Sequence, residues 1–242
     1  MIVFNGKCSD DLGVIVEHYP SVIFPEKKIT SFEIPGRNGT IIIDEGSFAN
    51  YDQSYDVFFD VKHKGGLNAA IPQIASWLLA CNGYQRLEDS YMPDFYRKAY
   101  VSNAHEFLSY FHEYGRGKLT FNCQPERYYK SGEKEIEVLN GQTLYNPTDF
   151  KACPIYNFAG YTNNNKLRIN LTENGVTRYF SYIPNNNAIP TGTSGTIDVK
   201  NFNIPRGTFE GKFEDLKLGK ETTITWEGNL SAIKITPNWW TI

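Results

Sequence analysis

The chain has 242 residues, of which 40% are hydrophobic and 15% aromatic, and a formal net charge of −3. That weight of Phe and Tyr excludes a disordered tail, and the length permits one large or two modest domains, each able to bury a core. The acid excess falls in residues 1–140 and the remainder is slightly basic, so neither half has the cationic surplus that drives binding to a phosphate backbone.

Met1-Ile2-Val3-Phe4 reads as a short apolar strand that turns at Asn5-Gly6 and continues through Leu12–Val16. The start lacks the basic region and apolar core of a signal peptide, and no apolar run approaches the length of a membrane span. A soluble protein made in the cytosol, with no membrane anchor, is expected. Pro20 and Pro25 break the chain before a strand at Thr30–Ile34, which stops at Pro35-Gly36-Arg37-Asn38-Gly39. Proline ends regular pairing, glycine admits unusual backbone angles, and Asn38-Gly39 is a strong tight-turn dipeptide. Thr40-Ile41-Ile42-Ile43 then resumes the strand, leaving Arg37 displayed at a loop tip. Local pattern leaves two readings open: a hairpin with an incidental arginine, or a guanidinium offered to a partner's carboxylates.

Tyr55–Val61 is a further strand, and one helix follows it. Leu67, Ala70, Ile71, Ile74, Leu78 and Cys81 share a face at spacings of three and four, Trp77 and Leu79 widen the stripe, and Asn82-Gly83 stops it. Pro72 is expected within the first turn, where a missing amide proton is harmless. Strands return at Tyr96–Val101, Glu106–Tyr114 and Lys118–Cys123, the last alternating Leu119, Phe121 and Cys123 with polar residues. Tyr128–Glu137 is charged and turn-like, as expected of a hinge between two domains, 1–137 and 138–242. Beyond it come short strands separated by Asn, Gly and Pro: Ile155–Phe158, Lys166–Leu171, Thr177–Ile183, Gly195–Val199, Thr222–Trp226 and Ala232–Thr236. Turn signals at that spacing indicate a β-sandwich, so the fold class is mainly β, with an α+β first domain holding one main helix.

The chemistry of sites is thin. Cys8, Cys81, Cys123 and Cys153 form no C-x-x-C pair and read as reduced core thiols. His105 and His112 are seven residues apart on a strand-like run, an odd offset that puts them on opposite faces and argues against a shared metal. Leu218-Gly219-Lys220-Glu221-Thr222 lacks the earlier glycine and adjoining hydroxyl of a phosphate loop, and no Gly-x-Ser-x-Gly elbow occurs. No catalytic residue, metal or cofactor is therefore assigned. Tyr161, Tyr179 and Tyr182 of the second half are available to stack on sugar rings, which keeps open a carbohydrate-binding module as an alternative.

Ordered landmarks carry a family resemblance. They are Phe4-Asn5-Gly6 with Asp11-Leu12-Gly13, Ile34-Pro35-Gly36-Arg37-Asn38-Gly39, the helix bearing Trp77-Leu78, Tyr96–Val101, and Leu119-Thr120-Phe121-Asn122-Cys123-Gln124-Pro125. Asn146-Pro147, Ala152-Cys153-Pro154-Ile155 and the ending Ile235–Ile242 continue the order. Together they resemble the distal tail proteins of siphophages and prophages of Gram-positive hosts. The family usually has Asp-Gly where this chain has Asn38-Gly39, and a glycine where it has Thr148.

The resemblance implies a structural protein of the virion tail tip, assembled in the bacterial host cytoplasm. An N-terminal domain would form a homo-hexameric ring, and a C-terminal galectin-like β-sandwich would project from it, with a return of the last strand to the N-terminal domain left open. The ring would join the tail tube protein to the tail-associated hub protein and offer a platform for receptor-binding or baseplate proteins. DNA would pass through its lumen without stable nucleic-acid binding. On this reading Gly36, Arg37, Asn38 and Gly39 bear on subunit or hub contacts.

Overall fold

A computed structural model describes residues 1–101, 107–159, 166–184, 195–228, 230 and 232–242. Tyr161 and His105 lie outside this set. The β-branched and aromatic runs form strands as expected, and the protein is mainly β with one α-helix among the described residues. The chain divides into two compact units, residues 1–127 with Ile242, and residues 128–241.

The first unit contains β1 (Ile2–Phe4), β2 (Lys7–Cys8), β3 (Val14–Val16), β4 (Lys27–Glu33), β5 (Thr40–Phe48) and β6 (Tyr51–Asp60). Helix α1 (Leu67–Leu79), β7 (Gln85–Asp89), β8 (Phe95–Tyr100), β9 (Phe107–Phe111) and most of β10 (Tyr114–Tyr129) complete it. Its main sheet runs β2-β1-β7-β8-β10-β6-β3, with β9 also on β10. Asn5 and Gly6 both take positive φ, 49° and 71°, the requirement of a two-residue hairpin turn between β1 and β2. One face of the sheet is covered by α1 through Leu67, Ala70, Ile74, Trp77 and Leu78. Trp77 is the anchor: its Nε1 donates to the Phe4 carbonyl at 2.9 Å, and its ring meets Phe4 edge-on at 6.3 Å. The helix departs from expectation in three ways: Ile71 and Leu79 are exposed rather than part of the buried stripe, Pro72 sits beyond the first turn, and the helix ends at Leu79, before Cys81.

A buried polar cluster crosses the same sheet. The Arg97 Nη1 donates to Asp89 Oδ2 at 2.8 Å, the Tyr55 hydroxyl to the same oxygen at 2.9 Å, and the amides of Tyr91 and Met92 to Asp89 Oδ1. Burial alone would raise the Asp89 carboxyl; the Arg97 charge and these hydrogen bonds outweigh it and hold the group below its ordinary range.

The second unit holds β11 (Ile136–Val138), β12 (Gln142–Tyr145), β13 (Ile155–Ala159), β14 (Leu167–Glu173) and β15 (Val176–Pro184). It also holds β16 (Gly195–Asp198), β17 (Gly207–Glu210), β18 (Glu221–Glu227), β19 (Ala232–Thr236) and β20 (Trp240–Thr241). These make a sandwich of two antiparallel sheets, β11-β19-β13-β16 and β12-β18-β14-β15-β17. Leu167, Ile169, Leu171, Phe180, Tyr182, Ile224 and Trp226 from one sheet meet Tyr156, Phe158, Ile197, Ile233 and Ile235 from the other in a single core.

The stretch Tyr128–Glu137 belongs to the second unit and is bonded within it. The Tyr129 amide donates to the Trp239 carbonyl at 2.9 Å, the Asn238 amide to the Gly132 carbonyl at 2.9 Å, and Ile136 pairs with Ile235. Gly132 is required there, since a Cβ would lie 2.5 Å from the Trp239 nitrogen. Of the four thiols, only Cys123 is fully buried; Cys8, Cys81 and Cys153 are half-buried, because each lies at the margin rather than the middle of its core.

Candidate assembly surface

Strands β4 and β5 pair only with each other among the described residues, forming a two-stranded sheet. The register sets Glu33 opposite Thr40, Phe32 opposite Ile41, Ser31 opposite Ile42, Thr30 opposite Ile43 and Ile29 opposite Asp44. Alternation therefore places Thr30, Phe32, Ile41 and Ile43 on one face and Ile29, Ser31, Ile42 and Asp44 on the other. Neither face is covered: Ile42 is 62% exposed, and Ile29, Phe32 and Ile43 are each about half exposed. A lone hairpin is marginal in water, so this one is held by local bonds. Lys27 pairs with Asp44, whose carboxyl is drawn below its usual range by that hydrogen bond and by the Gly46 amide. The Thr30 hydroxyl donates to Glu45 Oε1 at 2.7 Å.

The tip is the Pro-Gly-Arg-Asn-Gly loop. Its turn closes three residues earlier than Asn38-Gly39 suggests: the Arg37 amide donates to the Ile34 carbonyl at 3.1 Å, with Pro35 and Gly36 between them and Gly36 at φ 82°. Proline followed by a positive-φ glycine is the arrangement a type II turn demands. A Cβ on Gly36 would meet nothing within 4 Å, so the glycine serves backbone angle rather than space. Gly39 also takes positive φ, 84°, and lets the chain re-enter β5. Glu33, Ile34, Pro35, Arg37, Gly39 and Thr40 ring a shallow hollow here. Arg37, Gly36, Asn38 and Gly39 are all exposed, and the structure gives Arg37 no ion pair among the described residues. The loop thus presents a cation at the end of an apolar blade.

Sequence reasoning found the tip and missed the blade. Phe32, Ile42 and Ile43 look like core residues because strand formers usually are. The available signal was the unbroken Ile41-Ile42-Ile43 run opposite a β4 with little alternation, which matches no half-buried strand.

The three tyrosines considered for sugar stacking separate. Tyr179 is exposed, and Tyr161 is outside the described residues. Tyr182 is corrected: it points into the sandwich, has no exposed surface and spends its hydroxyl on the Arg206 carbonyl at 2.9 Å, so its ring cannot meet a ligand. His112 is exposed, and no group of three potential metal ligands occurs among the described residues. No helix among them is long and apolar enough to cross a membrane.

No protein-family model matches the chain, and no curated protein matches it by sequence. Solved structures do. One is the SPP1 Dit protein, described as a paradigm of the hub adsorption apparatus in phages that infect Gram-positive bacteria. It superposes with a TM-score of 0.72 at 12% identity, over 97% of this chain and 96% of that one. This chain has the Dit fold. Two structures of the phage P2 baseplate in its activated conformation, with Ca and with Sr, give TM-scores of 0.49 at 11% and 10% identity, covering 92% of this chain and 89% of theirs. The SPP1 match covers residues of both units.

Proposed function

We propose that the protein is an architectural, non-catalytic component of a phage tail tip that assembles as a homo-hexameric ring. The observation that carries this reading is the β4–β5 hairpin, an apolar blade uncovered on both faces, in a chain with the Dit fold. Contiguous exposed apolar surface of this kind marks a protein contact. In the ring, residues 1–127 bear the subunit contacts, with Phe32, Ile42 and Ile43 supplying buried area and Arg37 an ion pair to a neighbour or to the hub. The ring joins the tail tube protein to the tail-associated hub protein, and residues 128–241 offer docking for receptor-binding or baseplate proteins. The working location is the virion tail tip, with assembly in the host cytoplasm.

Native mass spectrometry and negative-stain microscopy of the purified chain test this. Particles that grow with concentration, or on adding the hub protein, to a six-membered ring are expected. A monomer at every concentration, with and without the hub, would overturn the assignment.

A further inference from the structure

We propose that the free edge of β17 in the second unit takes up an extended segment of another protein as an added strand, one that alternates apolar and acidic residues. The inference rests on the reading of the chain as a tail-tip component with a docking platform in residues 128–241, and it names the place and the chemistry of that docking.

Strand β17 is the last of its sheet, with β15 on one side and no strand on the other among the described residues. The register sets Phe209 opposite Tyr182, whose ring is in the core, so Phe209 lies on the inner face of the sheet. It is nonetheless 49% exposed, because no described strand continues the sheet beyond it. From there a line of rings leads out of the core. The Phe209 ring stacks on the buried Phe180 at 5.6 Å and meets Phe213 edge-on at 5.7 Å, and Phe213 meets Phe202 at 5.4 Å. Phe202 is 71% exposed. The core of the sandwich thus opens to solvent as an aromatic patch beside a sheet edge, the pairing that strand addition uses.

Phe202 is held in this position against its own backbone preference. Its φ is 51°, a left-handed angle that suits Gly or Asn and strains a bulky residue. The surrounding turn fixes it: the Asp198 amide donates to the Asn203 carbonyl at 2.8 Å, the Asn203 amide to the Asp198 carbonyl at 3.1 Å, and the Asn201 amide to Asp198 Oδ1 at 3.0 Å. A strained ring that gains little burial within its own chain points to a partner that covers it.

Charge selects the partner. Glu210 is engaged by Lys166 at 3.0 Å, Glu214 by Lys217 at 2.8 Å, and Asp215 accepts from the Lys212 amide at 3.1 Å. Arg206 and Lys212, which flank β17, are exposed and have no ion pair among the described residues, and the stretches of this unit outside that set contain no Asp or Glu. The unanswered charges at the two ends of the edge are therefore both cations. An added strand satisfies the edge with its main chain, lays apolar side chains over Phe209 and Phe202 on the inner face, and brings carboxylates to Arg206 and Lys212. A second copy fits poorly: antiparallel pairing of β17 with itself, centred on Phe209, sets Arg206 opposite the partner's Lys212, cation against cation.

The test measures fluorescence anisotropy of three labelled peptides with the full chain, one alternating Val and Asp, one Val and Lys, and one Thr and Asp. Saturable binding of the Val-Asp peptide is expected, about tenfold tighter than that of either other, with amide exchange slowed at residues 207–210 when it is bound. Phe202→Asn suits the left-handed angle, so the melting temperature should hold or rise while binding weakens about tenfold. Arg206→Ala with Lys212→Ala should weaken it as much and flatten its dependence on salt. No binding, equal binding of the Val-Lys peptide, protection confined to other residues, or binding indifferent to these substitutions overturns the inference. A change of oligomeric state in Phe202→Asn without any effect on the peptide would assign the edge to a second copy and overturn it too. Native mass spectrometry of the same samples keeps the two readings apart: rings without peptide binding overturn the β17 site alone, and peptide binding without rings overturns the assembly reading alone.

Discussion

Strands β5 and β6 are neighbours in the chain, separated by Ala49 and Asn50, and both are rich in strand-forming residues, yet they meet opposite fates. In β6, Tyr51, Gln53, Tyr55, Val57 and Phe59 are buried in strict alternation, with β10 paired along one edge and β3 along the other. In β5, no residue is fully buried, and β4 is its only strand partner among the described residues. The difference shows that apolar content does not by itself make a core: β6 has a helix and two strands to bury against, whereas β5 has only a strand as bare as itself. At roughly 25 cal/mol per Å² of apolar area removed from water, the uncovered hairpin holds a driving force for association that the rest of the fold does not draw on.

Substitutions in the two regions should therefore register in different measurements. The largest stability effect is expected beneath β6, where Trp77→Ala would empty a fully packed site and leave the Phe4 carbonyl without its donor. A loss of about 3–5 kcal/mol in chemical denaturation follows from the size of the cavity. Next comes Asp89→Asn, which leaves the Arg97 guanidinium buried opposite a neutral group and should cost about 3 kcal/mol. Its pH signature is specific. The Asp89 carboxyl is held below its ordinary value in the folded state, so its contribution is fully present above the unfolded value of about 4 and disappears as pH falls through the folded one. Wild type should lose stability across that acid window, and Asp89→Asn, already lacking the contribution, should lose less; parallel acid unfolding curves would show that Asp89 is not the group responsible.

These contrasts also explain what could be read from the sequence. Alternation in Leu119, Phe121 and Cys123, the Asn5-Gly6 turn and the Leu67, Ala70, Ile74 and Leu78 part of the α1 stripe are local signals, and each is realised because tertiary packing agrees with it. Pro35-Gly36 with its displayed Arg37 was legible for the same reason, since turn chemistry acts within four residues. The blade behind it was not. Whether Ile42 is core or surface depends on what covers it, and that is decided by strands tens of residues away. Tyr182 and Tyr179 show the same limit on a smaller scale: three residues apart, they face opposite sides of β15, and only the pairing with β14 and β17 reveals which side is inside. The run 128–137 packs within the second unit, and its charges gave no sign of that because its partners Trp239 and Ile235 lie about a hundred residues on.

A double substitution in the hairpin, Phe32→Ser with Ile42→Ser, sharpens the comparison from the other side. One residue is removed from each face, and neither is packed in the isolated chain, so the denaturation midpoint should move by less than about 1 kcal/mol. Oligomers should nonetheless disappear from sedimentation profiles at concentrations where the wild type assembles. An equal loss of stability and assembly would mean that the hairpin is part of the fold's own core, contrary to the contrast with β6.

The smallest effect is expected at the tip. Arg37→Ala leaves Pro35, Gly36 and the bond from the Arg37 amide to the Ile34 carbonyl intact, because that bond uses the backbone alone. Monomer stability should not change measurably. What changes is a guanidinium that no carboxylate answers among the described residues, so any cost appears only where a partner supplies one. A desolvated arginine at an interface commonly contributes more than 1 kcal/mol, which corresponds to a weakening of about tenfold in the association constant. Arg37→Lys should recover part of it, since the charge returns without the planar fork, and the recovery should shrink as salt is raised. Assembly unchanged in Arg37→Ala would confine the contact to the blade, and would leave the Pro-Gly-Arg-Asn-Gly loop a turn whose only task is to join β4 to β5.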